Sequence, residues 1–121
     1  ETIVYCTDDA RRQALMDAGA RVIRVPRAAG VLDAQQVLAD LAGREVNDVL
    51  VEAGAAVSGN LLSQRLVDEL VIYQAPHIMG SETQPMFSTP EWTRLVDRLA
   101  LDVMDVRRVG PDIRITAKIR D

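Results

Sequence analysis

The chain has 121 residues, one cysteine, one histidine and a formal charge of −4, enough for one compact domain with a buried core. Its longest apolar runs, such as Leu70 to Tyr73, fall far short of the ~18 residues a membrane-crossing helix needs, and its arginines are spread from Arg11 to Arg120 without the basic footprint of a nucleic-acid binder. Cys6 cannot close an intrachain disulfide, no charged-then-apolar leader precedes Ile3, and the lone His and Cys offer no pair at metal-ligand spacing. The expectation is a soluble, cytoplasmic protein with no metal, nucleic-acid or membrane partner.

In chain order, Thr2 to Cys6 reads as a β-branched strand. It is followed by Thr7 and Asp8 as N-cap candidates and a helix with Ala10, Leu15 and Ala18 on one face, closed by Gly19. Arg21 to Val25 is a second strand, stopped by Pro26. Asp33 caps a second helix carrying Val37, Leu38 and Leu41 on one side, and Gly43 ends it. Val49 to Val51 reads as a buried strand, and Ser58 to Leu66 as a third helix beyond a turn of Ala53, Gly54, Ala55 and Ala56. Strands alternating with helices imply a parallel sheet flanked by helices. The pattern then changes. Glu69 to Ala75 is a strand, and Leu99 to Arg108 and Ile113 to Lys118 form a hairpin through Val109-Gly110-Pro111-Asp112. His77 to Trp92 is a long aperiodic loop, of a length that is usually functional or packed on a neighbour.

The most informative stretch is Val49 to Leu62, a strand opening through small residues into a helix. Without bulky side chains, backbone N–H groups of the turn can approach an anion, and the helix N-terminus adds unpaired donors and about half a positive charge. Phosphate suits such a place; the bland alternative is tight strand-to-helix packing. Gly54 and Gly59 have Walker-loop spacing, but Asn60-Leu61 stands where Lys-[Ser/Thr] is required, and no G-x-G-x-x-G is present. Glu52, at the carboxyl end of the strand, lies where ligands of open α/β sheets bind, unless it is merely solvated or caps a neighbouring helix.

Other polar residues carry weaker signals. Asp68 and Glu69 point to opposite faces of a strand and suit capping better than acid/base cooperation. His77 has no identifiable partner, and Ser58, Ser63 and Ser81 lack a nucleophile elbow. Met79, Met86, Phe87 and Trp92 fit core filling better than a partner patch.

Val51-Glu52-Ala53-Gly54, Leu66-Val67-Asp68-Glu69-Leu70, Ala75-Pro76 with Gly80, and Val109-Gly110-Pro111-Asp112 together resemble the C-terminal portion of the bacterial riboflavin-biosynthesis reductase domain, over about residues 46 to 118. Residues 1 to 45 match it only in element order. The resemblance implies a dihydrofolate-reductase-like α/β fold with a mixed, mainly parallel sheet, and NADPH-dependent reduction of the ribosyl group of 5-amino-6-(5-phosphoribosylamino)uracil. It implies Glu52 against the substrate ribose and Gly54, Ala55, Ala56, Val57, Ser58, Gly59 and Asn60 around the NADPH phosphates. Thr7 and Arg11 are candidates for the cofactor 2′-phosphate, although Asp8 and Asp9 beside them make that place electrostatically poor.

The chain departs from the family in having Glu52-Ala53-Gly54 for the commoner Glu-Gly-Gly, and in matching nothing of the domain's upstream half. Residues 1 to 121 therefore read as the C-terminal part of one reductase domain, inactive alone. A non-catalytic assembly domain, with the long loop and the hairpin forming a homodimer interface, and a reductase of another pathway are the competing readings.

Overall fold

The computed structural model describes residues 1–28 and 30–120. The chain divides into two compact units, Glu1–Leu50 and Val51–Asp121. The first unit opens with β1 (Ile3–Cys6), α1 (Arg12–Asp17) and β2 (Arg21–Arg24), with β1 and β2 paired in parallel from Ile3 opposite Arg21 to Cys6 opposite Arg24. It continues with a two-residue-armed antiparallel hairpin, β3 (Arg27–Ala28) and β4 (Val31–Leu32), and α2 (Ala34–Gly43). The second unit holds α3 (Ala55–Ser63), β5 (Leu70–Gln74), a single 3-10 turn at Leu95–Asp97, and the strands β6 (Leu101–Val109) and β7 (Asp112–Ile119). Its sheet is wholly antiparallel in the order β5-β7-β6. Parallel pairing is thus confined, among the described residues, to β1 and β2.

Local chemistry explains most element ends. Asp33 is the N-cap of α2, its Oδ1 accepting from the amides of Gln35 at 3.0 Å and Gln36 at 3.2 Å, a contribution of about 1 kcal/mol. Asp8 instead accepts from the Ala10 amide at 3.1 Å, one turn before α1, whose N-cap is Arg11. All three helices close the same way: the amide two residues past the C-cap returns to the third-last helical carbonyl, Ala20 to Leu15, Val46 to Leu41 and Leu66 to Leu61. That closure needs one left-handed residue. Gly19 supplies it after α1 with φ 87°, but Glu45 (φ 63°) and Arg65 (φ 54°) supply it after α2 and α3. α2 thus ends at Gly43 as expected, but the left-handed residue of its closure is Glu45.

The β6-β7 hairpin turns through Gly110 and Pro111, with Val109 opposite Asp112 and φ 60° at Gly110, the glycine-first turn that suits strand twist. A bulge at Met104 interrupts β6 between Val103 and Asp105. Thr116 and Ala117 of the central strand are buried, as are Ala55, Leu61 and Leu62 of α3.

The expected strand at Val49–Val51 does not form. Residues 46–54 carry neither helix nor strand, and Val49, Leu50 and Val51 are exposed. An apolar run favours extended backbone, but a strand also needs a neighbour to complete its hydrogen bonds, and among the described residues none pairs with this one.

Tyr5 and Asp40 tie β1 to α2. The Tyr5 hydroxyl donates to Asp40 Oδ2 at 2.8 Å, and the same carboxylate receives Arg44 Nε at 2.6 Å and a second guanidinium nitrogen at 3.2 Å. The Arg44 hydrogen bonds, then that of Tyr5, hold the Asp40 carboxyl below the usual aspartate range. Burial, then the Asp40 carboxylate, pushes the Tyr5 phenol up. A carboxyl depressed by folding stabilises the fold above its ordinary range and loses that contribution as pH falls through it; the raised phenol contributes below about pH 10 and loses its share above. Thermal unfolding followed by circular dichroism between pH 7 and 3 is expected to show a smaller acid-induced fall in Tm for Asp40→Asn than for wild type. Parallel falls would show that the cluster does not couple protonation to folding.

Candidate functional site

Val51 to Asn60 carry the candidate site. Gly54 is the N-cap of α3, with extended backbone (φ −71°, ψ 172°) and no capping side chain. The first intrahelical bond runs from the Ser58 amide to the Gly54 carbonyl at 3.1 Å. The amides of Ala55, Ala56 and Val57 consequently have no acceptor among the described residues, as expected for a helix start without a cap. The helix begins three residues before the Ser58 start expected from sequence. Alanine is the best helix former, and the Ser58 hydroxyl donates to the Ala53 carbonyl at 3.2 Å.

The bend is open. A Cβ built on Gly54 meets nothing within 4 Å. Ala53 sits without a left-handed backbone, which removes the obstacle to alanine where the resembling family more often has glycine. Glu52 lies two residues before the N-cap and is exposed, its carboxylate making no hydrogen bond or ion pair among the described residues.

The structure separates the seven residues named for the cofactor into two groups. Gly54, Ala55, Ala56 and Val57 form the open first turn. Ser58, Gly59 and Asn60 are built into the helix and its packing: Ser58 braces the bend, and Asn60 Oδ1 accepts from Gln64 Nε2 at 2.8 Å. Gly59 is buried under the main chain of Ser88, where an added Cβ would stand 2.5 Å from the carbonyl carbon and closer still to its oxygen. Ser88 in turn donates its amide to the Ala55 carbonyl at 2.9 Å. The long loop thereby braces the first turn of α3. Sequence reasoning missed Ser88, and the signal that could have pointed to such a contact was a glycine inside a helix.

The remaining weaker candidates form other hydrogen bonds or are exposed. Ser63 Oγ donates to the Gly59 carbonyl at 2.7 Å, and the His77 amide to the Ala75 carbonyl at 2.9 Å. Asp68, Glu69 and Ser81 are exposed. Met79, Met86 and Trp92, expected to fill core, are exposed as well, and Phe87 is half-buried. Thr7 and Arg11 belong to the first unit, where Arg11 lines a concavity of about 360 Å³ with Cys6, Asp8 and Arg12. Asp9 is engaged there by Arg12 at 3.4 Å and Arg24 at 3.6 Å.

An open helix start next to a carboxylate is common to many folds, and similarity to known proteins narrows it. Residues 1–115 match the model of the RibD C-terminal domain. The chain belongs to this family. It is similar to the riboflavin biosynthesis protein RibD of Escherichia coli K12, with 34% identity over 93 residues, 77% of this chain and 25% of that protein. It is 41% identical over 71 residues to the 5-amino-6-(5-phosphoribosylamino)uracil reductase of Buchnera aphidicola from Acyrthosiphon pisum, covering 59% of this chain and 34% of that one. Acinetobacter baumannii RibD superposes with a TM-score of 0.83 and 27% identity over 98% of this chain and 31% of its own. The chain thus spans about a quarter to a third of these relatives, and its fold is dihydrofolate-reductase-like, as the resemblance implied.

Proposed function

We propose that this RibD-family chain is the C-terminal part of a reductase domain in riboflavin biosynthesis, and that it binds the phosphates of NADPH at the first turn of α3. The observation that carries the reading is the open, uncapped turn Gly54–Val57, two residues beyond an unengaged carboxylate. Its three free amides and the helix dipole favour an anion, and the space above Gly54 fits a phosphate group that must approach backbone closely.

Glu52 accepts hydrogen bonds from the sugar hydroxyls of the substrate, a phosphoribosylaminopyrimidine of the kind named for the Buchnera relative, and so fixes the carbon to be reduced. NADPH, when bound, supplies the hydride. Orientation of this sort accounts for much of the rate gain available without a covalent intermediate. Such a protein works in the cytoplasm. Activity belongs to the longer protein rather than to residues 1–121 alone, consistent with the share of the relatives that this chain spans.

Gly54→Val tests the phosphate site. Because the added Cβ meets nothing and the backbone is extended, the variant is expected to fold as wild type does. Its methyl groups would occupy the approach to the amides, raising the KM for NADPH about tenfold or more, equivalent to about 1.4 kcal/mol, with little change in the KM for the pyrimidine. Equal effects on both constants would overturn the assignment.

A second reading, assembly as a homodimer, is favoured by the exposure of Val103, Met104 and Val106 along β6, each about 60% accessible at a sheet edge. The two are compatible. Sedimentation equilibrium with and without NADPH separates them: association without nucleotide binding supports the assembly role alone.

A further inference from the structure

On one face of the β5-β7-β6 sheet two arginines share a single carboxylate. The strand register sets Tyr73, Arg114 and Arg107 side by side across the three strands, with Val71, Thr116 and Asp105 in the next row of the same face. Like charges directly opposite one another destabilise a sheet, and the anion at hand is committed to one of the pair: Asp105 Oδ2 accepts from Arg107 Nε at 2.6 Å. That hydrogen bond, and then the charges of Arg107 and Arg114, hold the Asp105 carboxyl below the usual aspartate range against the opposing effect of burial. Asp105 is therefore ionised at neutral pH, and the group keeps one positive charge in excess. Arg114 makes no hydrogen bond or ion pair among the described residues, with Asp112 or any other acid. Its Nε is shielded from solvent and unpartnered, as is Oγ1 of the buried Thr116 beside it, an arrangement that costs stability. Tyr73, 55% accessible, completes the row.

We propose that Tyr73, Arg107 and Arg114 bind an aromatic carboxylate on this face, its carboxylate bridging the two guanidinium groups and its ring lying on Tyr73. The excess charge selects the class of ligand. A monoanion neutralises it, whereas a phosphate dianion would overbalance the group and crowd Asp105. With Nε of Arg107 held by Asp105, the terminal nitrogens of that side chain remain for a planar carboxylate, which guanidinium groups grip through parallel hydrogen bonds. A half-exposed phenol ring beside them favours a flat apolar body. None of the three residues belongs to the α3 turn, so the inference stands whether or not a nicotinamide nucleotide binds there.

Nuclear magnetic resonance on the full chain tests it, with sodium benzoate as probe at fixed ionic strength. Benzoate is expected to shift the Nε–H resonances of Arg107 and Arg114 saturably, and acetate, which lacks the ring, to bind about threefold or more weakly. Arg107→Gln changes an exposed side chain and should weaken benzoate binding about tenfold or more. It should leave the amide resonances of α3 in place, which keeps a loss of binding distinct from a loss of fold. Arg114→Lys should weaken benzoate as well, because lysine keeps the charge but not the planar donor pair. No saturable shift with benzoate, inorganic phosphate binding as tightly as benzoate, or undiminished benzoate affinity in Arg107→Gln would each overturn the proposal. Shifts of the same resonances that grow with protein concentration alone would overturn it in favour of self-association through this face.

Discussion

Alanine at Gly59 is expected to lower the Tm by about 5–15 °C, an overpacking cost of about 1–3 kcal/mol spread over a unit of this size. In an exposed helix the same change stabilises by about 0.5–1 kcal/mol. At Gly59 the new methyl group would meet the carbonyl of Ser88 and, at 2.9 Å, its nitrogen. That neighbour is main chain, which cannot swing aside as a flexible side chain can. Moving it also disturbs the Ser88 amide that bonds Ala55 at 2.9 Å, and with it the brace on the first turn of α3. Gly54→Ala is the matched control, since nothing lies within 4 Å of its Cβ; its Tm should stay close to wild type. Thermal unfolding followed by circular dichroism reads both variants. A Tm for Gly59→Ala equal to or above wild type would mean that the loop does not lie against this helix.

The contrast between these two glycines marks what sequence can and cannot reveal. Asp33, Gly19 and Gly110 were legible because each acts within two or three residues of itself, through a cap, a left-handed helix end and a hairpin turn. The small residues before α3 were legible as a turn for the same reason, although the helix starts at Ala55, three residues before the expected Ser58. Ser88 was not, because it meets Gly59 from a loop with no period of its own. Glu45 and Arg65 also escaped. Residues with a Cβ carry no sign that they will adopt the left-handed region, which the closing bonds of α2 and α3 require of them.

Val49–Val51 shows a different limit. Its composition specifies an extended, buried conformation, yet pairing is supplied by whatever lies alongside, and the described residues provide no such strand. The β3-β4 hairpin was missed from the opposite side: with arms of two residues, Arg27–Ala28 and Val31–Leu32, no alternation can be read. Gly30, with φ 81°, was its one local clue.

Glu52→Gln is expected to reduce kcat/KM about 100-fold in the longer protein that carries this domain, equivalent to about 2.7 kcal/mol of lost transition-state stabilisation. Glutamine keeps the size and one acceptor oxygen but removes the charge that makes hydrogen bonds from sugar hydroxyls strong. The position of Glu52 makes the test clean. Its carboxylate is exposed and unengaged, so the substitution should shift Tm by no more than an ordinary surface change, within about 0.5 kcal/mol. The amides of Ala55, Ala56 and Val57 stay in place, so NADPH affinity should also hold. A fall in turnover with unchanged Tm and unchanged nucleotide binding assigns Glu52 to the sugar. If turnover is lost together with nucleotide affinity, the carboxylate acts through the α3 turn instead, and wild-type kcat/KM would remove it from the site altogether.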